Sequence, residues 1–260
     1  MISGGVDVAV GTVVLLVLAG FLAGWIDAVV GGGGLVQLPA LLLVPGLSPV
    51  QALATNKLAG IMGTSVSAVT YYRRVHPDLR TAGPMALAAL AGAAGGAVLA
   101  SSLPPAVFRP VILVALVAVA VYTVARPSLG RATDLRWAGR RHLGAALGLG
   151  LGIGFYDGLL GPGTGTFLVI GLVAVLGYAF LEASAKAKIV NAATNLGALA
   201  VFSAQGAPLW KLGLMVGAAN IAGSYLGARM AVAKGSAFVR VVFMVVVGGL
   251  ILRLGWDVLA

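Results

Sequence analysis

The chain has 260 residues, 60% of them hydrophobic and 9% charged, with 17 Lys and Arg against 7 Asp and Glu and a formal charge of +10. A soluble domain carries about a quarter charged residues, so this much apolar surface calls for a lipid solvent. The absence of Cys excludes disulfides and thiolate metal or redox centres. His76 and His142 are too few for a histidine metal cluster, and no cofactor motif stands out. The basic residues lie in short loops between apolar runs, which reads as membrane topology and not as a nucleic-acid surface.

A membrane-spanning helix needs about 20 apolar residues to cross a hydrocarbon core of about 30 Å. The first seven residues lack the basic start of a cleavable signal peptide, so the first apolar run is expected to be a retained helix. In chain order the sequence predicts ten apolar segments, near 8–30, 34–46, 49–72, 82–101, 106–125, 143–160, 164–179, 183–205, 208–231 and 238–256. The expected class is an all-α polytopic membrane protein. The second and seventh segments are short and follow glycine-rich breaks, so each is either a tilted short helix or a re-entrant half-helix.

Arg126-Pro127 marks the midpoint. It divides a first membrane unit, 1–126, from a basic linker, 127–142, that carries Arg131, Arg136, Arg140 and Arg141, and from a second membrane unit, 143–260. The linker and the loop with Arg73, Arg74 and Arg80 are expected in the cytoplasm. If all ten segments cross, Arg229, Lys234 and Arg240 join them, while Arg109, Lys211, Arg253 and both termini lie outside. Re-entrant short segments keep the N-terminus inside but move Arg229, Lys234 and Arg240 outward. The charge bias favours the first arrangement.

The two halves resemble each other at an offset of about 130 residues. Gly24-Trp25-Ile26-Asp27 through Gly33 aligns with Gly154-Phe155-Tyr156-Asp157 through Gly163. One residue further, Asn56-Lys57 meets Ala187-Lys188, and Gly92 and Gly96 meet Gly223 and Gly227. Five segments per copy is an odd number, so the second copy is expected to be inverted. Inverted repeats with Gly/Pro-interrupted segments are a plan of secondary transporters, whose site lies at the repeat interface.

Candidate site residues follow from the cost of polarity in lipid. Gly32, Gly33 and Gly34, and Gly163, Thr164 and Gly165, sit at breaks where a helix restarts, offering N–H groups and a positive dipole end to an anion. Lys57 and Lys188 lie some 10 Å into their segments by helix rise, where a lysine costs about 2.5–3.5 kcal/mol and usually faces a polar interior. Asn191 and Asn195 share a helix face with Lys188, and Asn56 stands beside Lys57. Asp27 and Asp157 occupy matched positions. They either neutralise the lysines and bind a coupling proton, or cap the broken helices as structural pairs. Lys186, four residues after Glu182, is explained by an i,i+4 ion pair. Gln37, Tyr156, Thr166, Asn220, Ser224 and Tyr225 are weaker candidates, better read as packing. No P-loop, HExxH or GxSxG motif is present, which argues against an enzyme.

These residues resemble the TauE/SafE family of sulfite exporter-like permeases. Gly31 to Gly34, Pro39-Ala40-Leu41-Leu42 and Ala54-Thr55-Asn56-Lys57-Leu58 carry the likeness in the first half. Phe155-Tyr156-Asp157-Gly158, Gly161 to Gly165, Lys188 with Asn191 and Asn195, and Gly227-Ala228-Arg229 carry it in the second. The resemblance implies export of sulfite or small organosulfonates across the bacterial cytoplasmic membrane. Pro162 and Thr164 depart from an all-glycine break. The residues themselves leave three readings open: this anion carrier, with protons as coupling ion; a carrier or channel for another anion or a metal cation; and a non-transporting membrane subunit. Oligomeric state is not legible.

Overall fold

The computed structural model describes residues 10–100, 130 and 132–259, with the backbone alone at 250, 251 and 253–259. The predicted segment 106–125, with Arg109, Arg126, Pro127 and Arg131, and the Arg253 side chain lie outside the described residues. The rest is helical: α1 (Val10–Val30), α2 (Gly34–Leu42), α3 (Pro49–Val75), α4 (Leu79–Ala100), α5 (Gly139–Leu159), α6 (Thr164–Gly171), α7 (Phe180–Ala204) and α8 (Trp210–Leu259). A π-helical turn, Leu172–Leu176, extends α6. α8 is two helices end to end, broken at Gly235 (φ 73°, ψ −170°), which separates the two last segments predicted from sequence. α1, α4 and the stretch Trp210–Gly249 are long and apolar enough to cross a membrane.

Local chemistry sets the boundaries of α3. Ser48 and Gln51 form a reciprocal capping box and Pro49 occupies the first turn, so the orphan N–H groups at this start are met. At the other end Arg73 and Arg74 sit at the negative pole of the helix, and His76 ends it in the left-handed region (φ 51°). α5 differs: Ala138 at its N-cap makes no side-chain capping bond.

Each half packs mainly on the other. α1 lies along α8 and α5 along α4; α3 also packs on α8, α7 on α4, and α3 meets α7. Small residues bring these backbones together, as in membrane helix pairs generally. A Cβ at Gly24 would overlap the Asn220 backbone, and Cβ atoms at Gly223 and Gly227 would press on Phe21 and Trp25. The corresponding contacts of α4 and α5 are Gly92 with Leu151, Gly96 with Phe155, and Gly154 with Ala89. The matched GxxxG pairs thus belong to two matched helix seams.

Both short helices fold back beside the long helices that precede them. α2 has 9 residues, about 13 Å of helix, too short for a hydrocarbon core of about 30 Å. It folds back along α1: Gly33 lies on Ala23 and Asp27, and Leu38 and Leu41 cluster with Leu16 and Ala19. α6 returns along α5, with Gly171 against Leu149 and Ile153. Each short helix thus doubles back on the helix before it.

In consequence one end of the bundle collects the basic loops. Lys186 at the start of α7 donates to the Asp78 carbonyl (3.1 Å), the Asp134 N–H donates to the Gly177 carbonyl (2.8 Å), and the Leu181 N–H donates to Ser236 Oγ (3.1 Å). The α3–α4 loop, the linker and the Gly235 break are thereby joined, and with them Arg73, Arg74, Arg80, Arg136, Arg140, Arg141 and Lys234.

Candidate functional site

The two breaks cross at the centre of the bundle. Gly31 takes φ 86°, a left-handed conformation natural only to glycine, and a Cβ there would overlap the Gly165 backbone. The crossing is stitched by the Thr166 N–H to the Gly31 carbonyl (3.1 Å) and Thr166 Oγ1 to the Val30 carbonyl (3.2 Å). Thr166, a weak candidate in the sequence, binds one break to the other. Tyr156 donates to the Pro162 carbonyl at 2.6 Å and holds the second break from within.

Beside the crossing the aspartates and lysines pair across the halves. Lys57 Nζ lies 2.6 Å from Asp157 Oδ1, both about 2% exposed. Lys188 Nζ lies 3.1 Å from Asp27 Oδ2 and also donates to the Asp27 carbonyl. Each lysine from one half thus meets the aspartate from the other. Thr164 Oγ1 donates to Asp157 Oδ1 at 2.6 Å, while Asp157 Oδ2 is buried with no hydrogen-bond partner among the described residues. Water cannot screen charges held at this depth as it does at a surface, so each ammonium depends on its carboxylate.

A small polar cavity opens next to the Lys57–Asp157 pair. It offers about 40 Å³ to the centres of water molecules, where about 10–15 Å³ admits one. Lys57, Asn56, Asn191, Asn195, Asp27 and Asp157 line it, as do Gly33, Gly34, Gly163, Thr164 and Gly165 at the breaks. Two expected site residues are not on its wall. Lys188 stands behind Asp27, and Gly32 turns toward Thr166, Ile26 and Val246.

Six further residues complete the wall: Gly31 and Gly161 at the breaks, and Gln37, Gly60, Thr64 and Asn220. Gln37 and Asn220 join a chain of hydrogen bonds across three helices. Ser224 Oγ donates to Asn220 Oδ1 (3.2 Å), Asn220 Nδ2 to Gln37 Oε1 (2.7 Å), and Gln37 Nε2 to Asn56 Oδ1 (3.0 Å). Thr64 was legible from the sequence, seven residues after Lys57 on its helix stripe; Gly60 was not, and the offset of 131 that sets Gly60 and Thr64 against Asn191 and Asn195 was the signal that could have found it. Tyr225 lies away from the cavity, exposed and paired with Arg229 (3.3 Å). Lys186 keeps its expected partner Glu182 at 3.8 Å. Among the described residues no three His, Cys, Asp or Glu gather as metal ligands.

A helical bundle of membrane-sized apolar helices enclosing a charged, polar cavity at its broken centre is the architecture of a membrane transporter. Residues 16–254 match the family described as Sulfite exporter TauE/SafE, and the chain belongs to that family. It is 39% identical over 254 residues to the Probable membrane transporter protein ORF9 of Sinorhizobium sp, covering 95% of this chain and 94% of the relative. It is 35% identical over 234 residues to a Probable membrane transporter protein of Haemophilus influenzae, covering 90% and 91%. With the Probable membrane transporter protein YfcA of Escherichia coli K12 it shares 32% over 246 residues, covering 94% and 89%. No solved structure matches the chain significantly. The protein is a membrane transporter and not an enzyme.

Proposed function

We propose that the protein is a secondary carrier for small sulfur-containing oxyanions, sulfite or organosulfonates, exported through one site between two inverted repeats. The observation that carries this reading is the exchanged pairing of two buried lysines with two buried aspartates beside a small polar cavity. An oxyanion entering the cavity takes the place of the Asp157 carboxylate at Lys57, and the amides of Asn56, Asn191 and Asn195 donate to its remaining oxygens. A proton taken by Asp157 frees Lys57 for the anion, which makes the proton the coupling ion. Lys188 and Asp27 serve as the matched counter-pair, adjusting charge from behind the wall.

The inverted relation is supported by the helix seams. α1 on α8 mirrors α5 on α4, and α3 on α8 mirrors α7 on α4, about the contact of α3 with α7. α5 starts at the basic end, where His142 meets Tyr178, and α1 starts at the opposite end, where Leu16 shares a buried cluster with Leu53 and Phe202. Alternating access then rocks one half against the other about the crossed breaks. The gathered arginines support a reading in which the basic end faces the cytoplasm of a bacterial inner membrane. Sulfur enters from the family description; the lysines and amides ask only for a small anion. A metal-cation substrate is disfavoured because each aspartate already faces a lysine.

The test is substitution. Lys57→Ala and Lys188→Ala each abolish sulfite flux while the protein still inserts, and unchanged flux in both would sink the site assignment.

A further inference from the structure

Gln37 and Asn220 line the central cavity yet take no part in its ion pairs. Behind them stand Ser224 and Gly63, which do not reach the wall. Asn56, Gln37, Asn220 and Ser224 are all buried, on α3, α2 and α8, and the hydrogen bonds among them run in one direction.

The Asn56 main chain sets that direction. Its carbonyl oxygen only accepts, and the Gln37 end group lies 3.4 Å from it, so the Gln37 atom on that side is Nε2. Nε2 also donates to Asn56 Oδ1 at 3.0 Å. Gln37 Oε1 is thereby turned to Asn220 and accepts from Nδ2 at 2.7 Å. Asn220 Oδ1 then faces Ser224 Oγ, whose one proton lies between Oδ1 and the Gly24 carbonyl, each 3.2 Å away. With Oδ1 held by Gln37, the Asn56 amide turns Nδ2 the other way. Nδ2 donates to no group among the described residues and, unlike Asp157 Oδ2, is not sealed from the cavity. It lies by Gly34 on the cavity wall, where an added Cβ would stand 3.8 Å from it.

The second half has no such chain. At the offset of 131, Asn56 meets Ala187, Gln37 meets Leu168, and Asn220 and Ser224 meet Ala89 and Ala93. Gly63 makes room for the chain where α3 approaches α8: a Cβ there would overlap Asn220 Oδ1 and press on Ser224 Oγ.

We infer that Gln37, Asn220 and Ser224 are positioning residues that hold Asn56 with its N–H donor toward the ligand, so that the wall beside Lys57 selects an acceptor such as an oxyanion. Gly63 is glycine to admit them. The role given to Asn56 rests on the carrier reading proposed above.

The test is non-additivity. Ser224→Ala and Gln37→Met are each made in the full-length parent and in Asn56→Ala, which keeps Lys57, and labelled sulfite exchange is measured in proteoliposomes without a pH gradient. In the parent, Gln37→Met should raise KM about tenfold and Ser224→Ala severalfold, with kcat little changed, because a hydrogen bond to a charged ligand is loosened. In Asn56→Ala, whose own KM should be about tenfold above that of the parent, neither should raise it further. A loss of Tm from either substitution, the mark of a packing role, should persist in both backgrounds. Unchanged KM for both variants in a parent that exchanges sulfite, or the full increase retained in Asn56→Ala, overturns the inference and leaves the carrier reading standing. A parent that exchanges neither sulfite nor organosulfonates refutes that reading, and this inference with it.

Discussion

Replacing Lys57 by Met keeps most of the side-chain volume and removes the ammonium. The change strands Asp157, 2% exposed, with one oxygen bonded only to Thr164 and the other to nothing. Removing one partner of a buried ion pair costs about 3–5 kcal/mol, because the charge left behind is uncompensated. At about 2–4 °C per kcal/mol for a chain of this size, Tm should fall by about 6–20 °C. Adding Asp157→Asn removes the stranded charge and keeps an acceptor for Thr164, so the double variant should regain more than half of the loss. Both proteins should be inactive, since neither has the cation that the anion needs. Thermal unfolding in detergent and flux in proteoliposomes, run on the same preparations, separate the two effects. A Lys57→Met protein as stable as the parent, or a double variant no more stable than the single, would refute the argument that the pair is a mutually dependent buried unit.

Four further outcomes follow from other parts of the bundle. Gly31→Ala drives a Cβ into the Gly165 backbone from a left-handed conformation, and should destabilise the protein by more than about 3 kcal/mol. Gly248→Ala, with nothing within 4 Å of the added carbon, should leave Tm unchanged. Gly60→Ala sets a methyl group 3.3 Å from Asn195 Oδ1 on the cavity wall, so flux assays should show a severalfold higher KM at nearly unchanged Tm. Partial burial opposes ionisation of Asp78, but hydrogen bonds from the Arg80 N–H and Thr81 and the charge of Lys186 outweigh it and hold its carboxyl below the usual range. A depressed carboxylate stabilises above its unfolded value of about 3.9, and that contribution is lost as pH falls through the folded value. Asp78→Asn should therefore lower Tm at pH 7, and the difference should close below about pH 3–4.

Much of this arrangement could be read from the chain because lipid makes polarity costly. An aspartate before a glycine-rich break and a lysine within an apolar segment each stood out, and their recurrence at offsets of 130 and 131 pointed to a shared centre. The partners were not legible. Lys57 answers Asp157, and Lys188 answers Asp27, a cross-half exchange that sequence spacing does not encode. Gln37 and Asn220 looked like interhelical glue because an isolated amide in a membrane helix has no direction until its neighbours are known; together they line the cavity and reach Asn56. The short segments offered two alternatives, crossing or re-entry. What the structure adds is the fold-back of α2, with Gly33 packed against Ala23 and Asp27, a contact that depends on the backbone angles of the break. Lys188 was expected on the site wall from its helix face. It lies one layer back because Asp27 comes between.

The central claim is that the cavity carries an anion in a cycle coupled to a proton. Labelled sulfite flux in proteoliposomes of the purified full chain, with and without an imposed pH gradient, tests it most directly. The account predicts saturable flux that organosulfonates inhibit, that the gradient drives, and that Lys57→Ala abolishes. Flux no greater than that of empty liposomes, for sulfite and organosulfonates alike, would contradict it.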